Sequence, residues 1–127
     1  MYHVEVSNSG DYSFRVNSRD YQFSVDTKGE KGVSPSDTLL ASLGACIGVY
    51  IRKYAEGAKL SIPEFNISVY ADFDKTDTIC FRKINVNIDL KGVKLNERRL
   101  EAMLGFIKNC PVHNTLKNNP EVEIKIN

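Results

Sequence analysis

Residues Leu39 to Ile51 read LLASLGACIGVYI, thirteen positions without a charge. The segment is entered through Ser34-Pro35-Ser36-Asp37, where Ser34 suits the N-cap, Pro35 the first helical position and Asp37 the third position of a capping box. Arg52 and Lys53 restore polarity, and Gly57 marks the expected end of the helix. A helix in water normally carries one polar face, and one that carries none must be covered on every side. A chain of 127 residues is long enough for a single hydrophobic core, so residues 1–127 are expected to form one domain, with a sheet on one side of this helix. The opposite side is then expected to meet a second copy of the chain. Gly44-x-x-x-Gly48, with Ala41 and Ala45, leaves a shallow surface where another helix can approach.

On the N-terminal side, Tyr2/Val4/Val6, Tyr12/Phe14/Val16 and Tyr21/Phe23/Val25 alternate with the period of strands and are separated by polar, turn-forming residues. These predict a three-stranded antiparallel meander. On the C-terminal side, Phe65/Ile67/Val69/Ala71/Phe73 alternate, and after Asp74-Lys75-Thr76-Asp77 a partner strand follows. Its apolar parity switches from Ile79/Phe81 to Ile84/Val86/Ile88/Leu90, which one extra residue near Arg82-Lys83 reconciles. Asn96 opens a second helix with Leu100, Met103, Leu104 and Ile107 on one stripe facing the core. Cys110-Pro111 repeats the Ser34-Pro35 arrangement and predicts a short third helix through Leu116, and Val122/Ile124/Ile126 predict a last strand. The expected class is α+β, in the order βββ-α-ββ-α-α-β, with antiparallel sheets around a long buried central helix.

Composition removes several classes of function. Seventeen Lys and Arg against sixteen Asp and Glu, with both signs scattered, leave no electrostatic footprint for nucleic acid or an anionic membrane. No stretch approaches the roughly 20 apolar residues of a membrane span. The start, Met1-Tyr2-His3-Val4-Glu5-Val6, alternates like a strand and lacks the basic and apolar regions of a signal peptide, so a cytoplasmic location is expected. Cys46, Cys80 and Cys110 are odd in number and widely spaced. That spacing fits neither a disulfide scaffold nor CxxC-type zinc ligation, and neither a metal nor a cofactor is expected.

The three cysteines are therefore either packing residues or reactive thiols. Cys110, at a helix start, faces unpaired N–H groups and the positive end of the helix dipole, which favour the thiolate. Cys46 lies about three turns inside its helix, where that effect has faded and an apolar setting holds the proton on. To react it needs a cation brought from elsewhere. Taken alone it reads first as a small buried hydrophobe, and Cys80, beside Ile79 and Phe81, fits a packing role.

Ser34-Pro35-Ser36-Asp37-Thr38-Leu39-Leu40-Ala41-Ser42-Leu43-Gly44-Ala45-Cys46, then Ile51-Arg52-Lys53-Tyr54-Ala55-Glu56, then Cys110-Pro111-Val112-His113-Asn114-Thr115-Leu116 together resemble the OsmC/Ohr family of osmotically inducible and organic-hydroperoxide-resistance proteins. The resemblance implies a thiol peroxidase, active as an intertwined homodimer. It makes Cys46 the peroxidatic cysteine, oxidised to sulfenic acid by an organic hydroperoxide. Cys110 becomes the resolving cysteine that closes a disulfide with it, and an external dithiol resets the site. This assignment inverts the local acidity argument. The family also looks to an arginine of the N-terminal sheet, held by a glutamate near the start of the central helix, to ionise the buried cysteine. Here Ser36 stands at the glutamate's place with Asp37 beside it, and the arginine's place falls near Tyr12. Arg15 is thus the expected thiolate-stabilising cation and Asp37 its orienting carboxylate, with Arg19 and His113 as secondary candidates. The imperfect match also admits two other readings: a non-catalytic dimer of the same fold that binds an apolar ligand or serves a stress response, and a thiol redox sensor.

Overall fold

A computed structural model describes residues 1–127. They form two compact units, Met1–Ala41 and Ser42–Asn127.

In the first unit, β1 (Glu5–Ser7), β2 (Ser13–Ser18) and β3 (Tyr21–Asp26) make the expected antiparallel meander in the order β1-β2-β3. Val6, Val16 and Phe23 stand opposite one another, as do Phe14 and Val25, so the alternation gives the sheet one apolar face. Tyr2 and Val4, expected in the first strand, precede it and are exposed. Asp26 is buried and organises the loop that follows: its carboxylate accepts from the backbone N–H groups of Lys28 at 2.9 Å and Lys31 at 3.1 Å. These bonds hold that carboxyl below its usual range. Gly32 lies so close to Ser24 that a Cβ there would meet the Ser24 carbonyl, which explains a glycine at this position.

Helix α1 (Pro35–Gly57) begins where the sequence places it. The Ser34 hydroxyl accepts from the Asp37 N–H at 3.0 Å and donates to the Asp37 carboxylate at 2.9 Å. In the second unit α1 buries one row, Leu43, Ile47, Ile51 and Ala55, spaced every four residues along one face. That row joins Ile62, Met103, Ile107 and Cys110 in a single core. Full burial of one such side chain contributes about 1.5–3 kcal/mol, which makes this row the main anchor of the unit. Arg52 fastens the helix to the segment after it: its guanidinium donates to the carbonyls of Ile62 and Pro63 at 2.6 and 3.1 Å and stacks 4.9 Å from the centre of the Phe65 ring.

The glycine pair has a different neighbour from the one expected. A Cβ at Gly44 would come within 3.2 Å of the Val69 side chain, and one at Gly48 within 3.5 Å of Ile67. The shallow strip therefore receives side chains of a strand, which project farther than a helix backbone and fill the space that the missing Cβ atoms leave. Coverage of α1 is also incomplete within one chain, since Val49 remains 50% exposed and Leu39 40%.

The long hairpin forms as two ladders: β4 (Asn66–Tyr70) pairs with β7 (Asn85–Asp89), and β5 (Phe73–Asp74) with β6 (Cys80–Phe81). Pairing passes from Tyr70↔Asn85 to Phe73↔Phe81, so Ala71 and Asp72 on one side oppose Arg82, Lys83 and Ile84 on the other. The extra residue sits where the parity switch puts it. Helix α2 (Glu97–Ile107) is capped by the Asn96 side chain, which accepts from the Arg99 N–H at 2.8 Å. Only Met103 and Ile107 of its expected stripe are buried, while Leu100 and Leu104 stay exposed. Helix α3 (Pro111–Lys117) starts at Cys110 with Pro111 in its first turn.

The expected last strand is not formed. Val122, Ile124 and Ile126 belong to no ladder and are exposed, Ile124 to 83%. An alternating segment needs an adjacent strand edge, and none in this chain pairs with it. With that exception the three helices and antiparallel sheets realise the α+β order.

Candidate functional site

Two elements distant in sequence bring their sulfurs together. Cys46 stands on α1 beside the buried row, partly exposed, whereas Cys110 at the start of α3 is 0% exposed. Both are free thiols. The Cys110 thiol and the Val112 backbone N–H both lie near enough to act on the Cys46 sulfur.

The local backbone explains this placement. α2 ends at Ile107, the Cys110 N–H returns to the Ile107 carbonyl at 3.0 Å, and the proline then starts α3. Pro111 has no N–H of its own, so the next donor in the first turn is Val112. Cys110 makes no side-chain cap bond to its own helix. Its thiol acts on Cys46 instead.

The electrostatics of Cys46 are opposed. Burial pushes its thiol above the ordinary free-cysteine range, and the neighbouring Cys110 thiol raises it further. Against these act the Val112 N–H and the positive charge of Lys53. Lys53 lies seven residues beyond Cys46, two turns along the same face, with its Nζ 5.0 Å from the centre of the Tyr50 ring. Neither Val112 nor Lys53 was among the expected site residues. A backbone donor leaves no trace in side-chain identity, but the Cys46/Tyr50/Lys53 spacing was a signal for the lysine.

The remaining expected residues are placed as follows. Arg15 is exposed on β2, beside Ser7 on β1 and Ser24 on β3, and forms no ion pair with Asp37. The Asp37 carboxylate is engaged with Ser34 in the helix cap. Arg19 occupies the β2–β3 turn with a positive φ of 55°. His113, in the first turn of α3, has its Nδ1 buried without a hydrogen-bond partner. Cys80 pairs with Asp74 in the short ladder. No group of three or more His, Cys, Asp or Glu is placed to hold a metal ion, and no helix is long and apolar enough to cross a membrane.

Chemically, a partly exposed thiol beside an enclosed one is a pair that can pass between dithiol and disulfide. The chain is 24% identical over 132 residues to a hydroperoxide reductase of Mycoplasma genitalium, covering 98% of this chain and 93% of that protein. It is likewise 24% identical over 133 residues to a hydroperoxide reductase of Mycoplasma pneumoniae, covering 99% and 94%. Its fold matches the crystal structure of an OsmC like protein from Mycoplasma pneumoniae with a TM-score of 0.81 at 22% identity, over 94% of this chain and 89% of that one. The organic hydroperoxide resistance protein OhrB of Bacillus subtilis matches with a TM-score of 0.60 at 21% identity, over 93% of both chains. The family model described as OsmC-like protein matches residues 27–125, and the chain therefore belongs to the OsmC-like protein family.

Proposed function

We propose that this protein is a cytoplasmic thiol peroxidase that reduces organic hydroperoxides, working as a homodimer. The observation that carries the reading is the proximity of Cys46 and Cys110, close enough that the Cys110 thiol alters the proton affinity of Cys46. The Cys46 thiolate attacks the outer oxygen of the hydroperoxide, the O–O bond breaks, an alcohol leaves after taking a proton, and Cys46 becomes a sulfenic acid. The Cys110 thiolate then attacks that sulfur, expelling hydroxide, which leaves as water, and a Cys46–Cys110 disulfide forms. An external dithiol returns both residues to thiols.

Arg15 as thiolate stabiliser and Asp37 as its orienting carboxylate enter this proposal through the family resemblance, with Arg19 and His113 behind them. The homodimer is supported by apolar residues that one chain leaves uncovered: Val49 on α1, Leu100 and Leu104 on α2, and Val122, Ile124 and Ile126 at the C-terminal end. A species of about twice the 14.3 kDa chain mass in sedimentation is the expected result, and a monomer at micromolar concentration contradicts it.

Peroxide consumption tests the chemistry. With cumene hydroperoxide and a dithiol, Cys80→Ser is expected to keep the wild-type rate and Cys46→Ser to fall to that of the buffer. Retained consumption in Cys46→Ser refutes the mechanism. One observation favours the non-catalytic alternative: burial and Cys110 hold the proton on Cys46. Under that reading Cys46 in the folded protein resists both peroxide and iodoacetamide at neutral pH.

A further inference from the structure

His113 stands in the first turn of α3 with its Nδ1 shut off from solvent and without a hydrogen-bond partner, although the residue as a whole is partly exposed. Buried nitrogens are nearly always bonded, and one that is not calls for a reason in strain or in chemistry. The neutral ring has two forms. Hydrogen on Nδ1 would leave an enclosed donor without an acceptor. Hydrogen on Nε2 puts the donor on the side open to water and leaves Nδ1 inside the protein as a base with a free lone pair.

The neighbour across the turn is Cys110. It is the N-cap of α3 and His113 is the third residue of the helix, the two positions whose side chains meet in a capping box. Neither half of such a box is used here. The Cys110 side chain makes no cap bond, and the Cys110 N–H goes to the Ile107 carbonyl at 3.0 Å instead of to residue 113. Both side chains therefore keep their proton-exchanging atoms free of the backbone. Cys110 also has a need that water cannot meet. It must lose a proton before its sulfur attacks Cys46, and at 0% exposure no solvent touches it to take one.

We infer that His113 Nδ1 is the base that takes the proton from Cys110 Sγ when Cys110 attacks Cys46. This deepens the proposed function and rests on its Cys46–Cys110 step. The two groups are not bonded in the dithiol form, so the transfer belongs to the step after Cys46 has been oxidised. The Cys110 S–H bond breaks and the proton moves to Nδ1, so the charge made on sulfur stands beside an imidazolium and not alone in the core. The thiolate electron pair then forms the S–S bond with Cys46, and the S–O bond of the sulfenic acid breaks. The departing hydroxide takes the proton from Nδ1 and leaves as water. One sulfenic acid and one thiol become one disulfide and one water, and His113 returns to its neutral form. This role differs from support of the Cys46 thiolate, because His113 acts on the second thiol and only after the first has reacted.

The test uses the full chain with Cys80→Ser and replaces peroxide with dithiobis(nitrobenzoate). That disulfide puts a nitrothiobenzoate group on the partly exposed Cys46 and releases one coloured thiolate. Attack by Cys110 releases a second, and because this leaving group needs no proton, the second rate reports the deprotonation of Cys110. His113→Gln is expected to slow the second release by about 10²-fold or more, the scale of a lost general base. Imidazole added to His113→Ala is expected to restore the second release in proportion to its concentration, which a merely structural side chain would not produce. Equal second-release rates in wild type and His113→Gln overturn the inference. So does a first release slowed as much as the second, which marks a role at Cys46 or in folding, and so does a His113→Ala protein that imidazole fails to accelerate. A chain with His113 intact that stops after one thiolate overturns it together with the disulfide step. The expected pattern in a protein that consumes no peroxide would leave the inference standing and remove the peroxidase reading.

Discussion

Two helices of this protein start with the same backbone device and spend the capping position differently. At Ser34-Pro35 the hydroxyl accepts from the Asp37 N–H, and the Asp37 carboxylate accepts the hydroxyl proton in return. At Cys110-Pro111 the backbone repeats the pattern, with the Asn114 N–H on the Cys110 carbonyl at 3.0 Å, yet the side chain caps nothing. A serine or aspartate at the second position would satisfy donors that the thiol leaves to others. The first start serves the helix. The second gives up that local contribution and sets its sulfur and the Val112 N–H near Cys46, and a departure from a local rule is where function is expected.

Exchanging the two roles gives the largest expected effect. Cys110→Ser installs the hydroxyl that α1 already uses, and turnover with a dithiol reductant should fall by more than about 10³-fold, as when a member of a covalent catalytic pair is removed. One equivalent of hydroperoxide per chain should still be consumed, because Cys46 remains. The melting temperature should hold or rise, since the new hydroxyl can cap α3. A multiple-turnover rate near wild type breaks the comparison, and so does a large loss of stability, because either result makes Cys110 a packing residue.

The two starts were equally legible in the sequence because caps are local: Ser34, Asn96 and Cys110 each precede a helix as expected. The parity switch between Ile79/Phe81 and Ile84/Val86 likewise located the extra residue of the hairpin, since a period of two cannot absorb an odd insertion without changing face. What surrounds α1 was not legible. A helix apolar on every face carries no record of which face meets which neighbour, so Gly44 and Gly48 read as a helix-contact strip when they receive Ile67 and Val69. The C-terminal alternation shows that Val122, Ile124 and Ile126 suit a strand, yet they pair with no strand edge of the chain. At the site, cysteine chemistry alone favoured Cys110 as the more acidic thiol, and the pairing with Cys46 came from family resemblance. Local spacing cannot report a contact between residues so far apart in sequence.

Removing the cap at the other start should produce a smaller effect of a different kind. Ser34→Ala deletes the hydroxyl that accepts from the Asp37 N–H, and substitutions of this type cost about 1 kcal/mol. Denaturant unfolding should show that loss, while the thiol–peroxide rate at Cys46 should be unchanged. A change in rate larger than the change in stability would instead tie the Ser34–Asp37 pair to the thiol, in keeping with the orienting role proposed for Asp37.

The smallest effect sharpens the comparison on the side of the thiol. Burial and Cys110 raise the proton affinity of Cys46, and Lys53 acts against them from two turns along α1. The sign follows from the protonation step: only the thiolate attacks peroxide, its fraction grows as pH rises through the raised value, and the first-step rate should therefore still be climbing where an ordinary free cysteine, with a pKa near about 8.5, has levelled off. Lys53→Met removes the positive charge while keeping an apolar stem against Tyr50. The rate curve should then move to higher pH, and at neutral pH the rate should fall by about two- to threefold, the scale of a single solvent-screened charge. Added salt should produce part of the same fall in wild type and little in the variant. A pH profile identical in both proteins would leave the Val112 N–H as the one local group that favours the Cys46 thiolate, and would place the missing cation elsewhere, with Arg15 the next residue to replace.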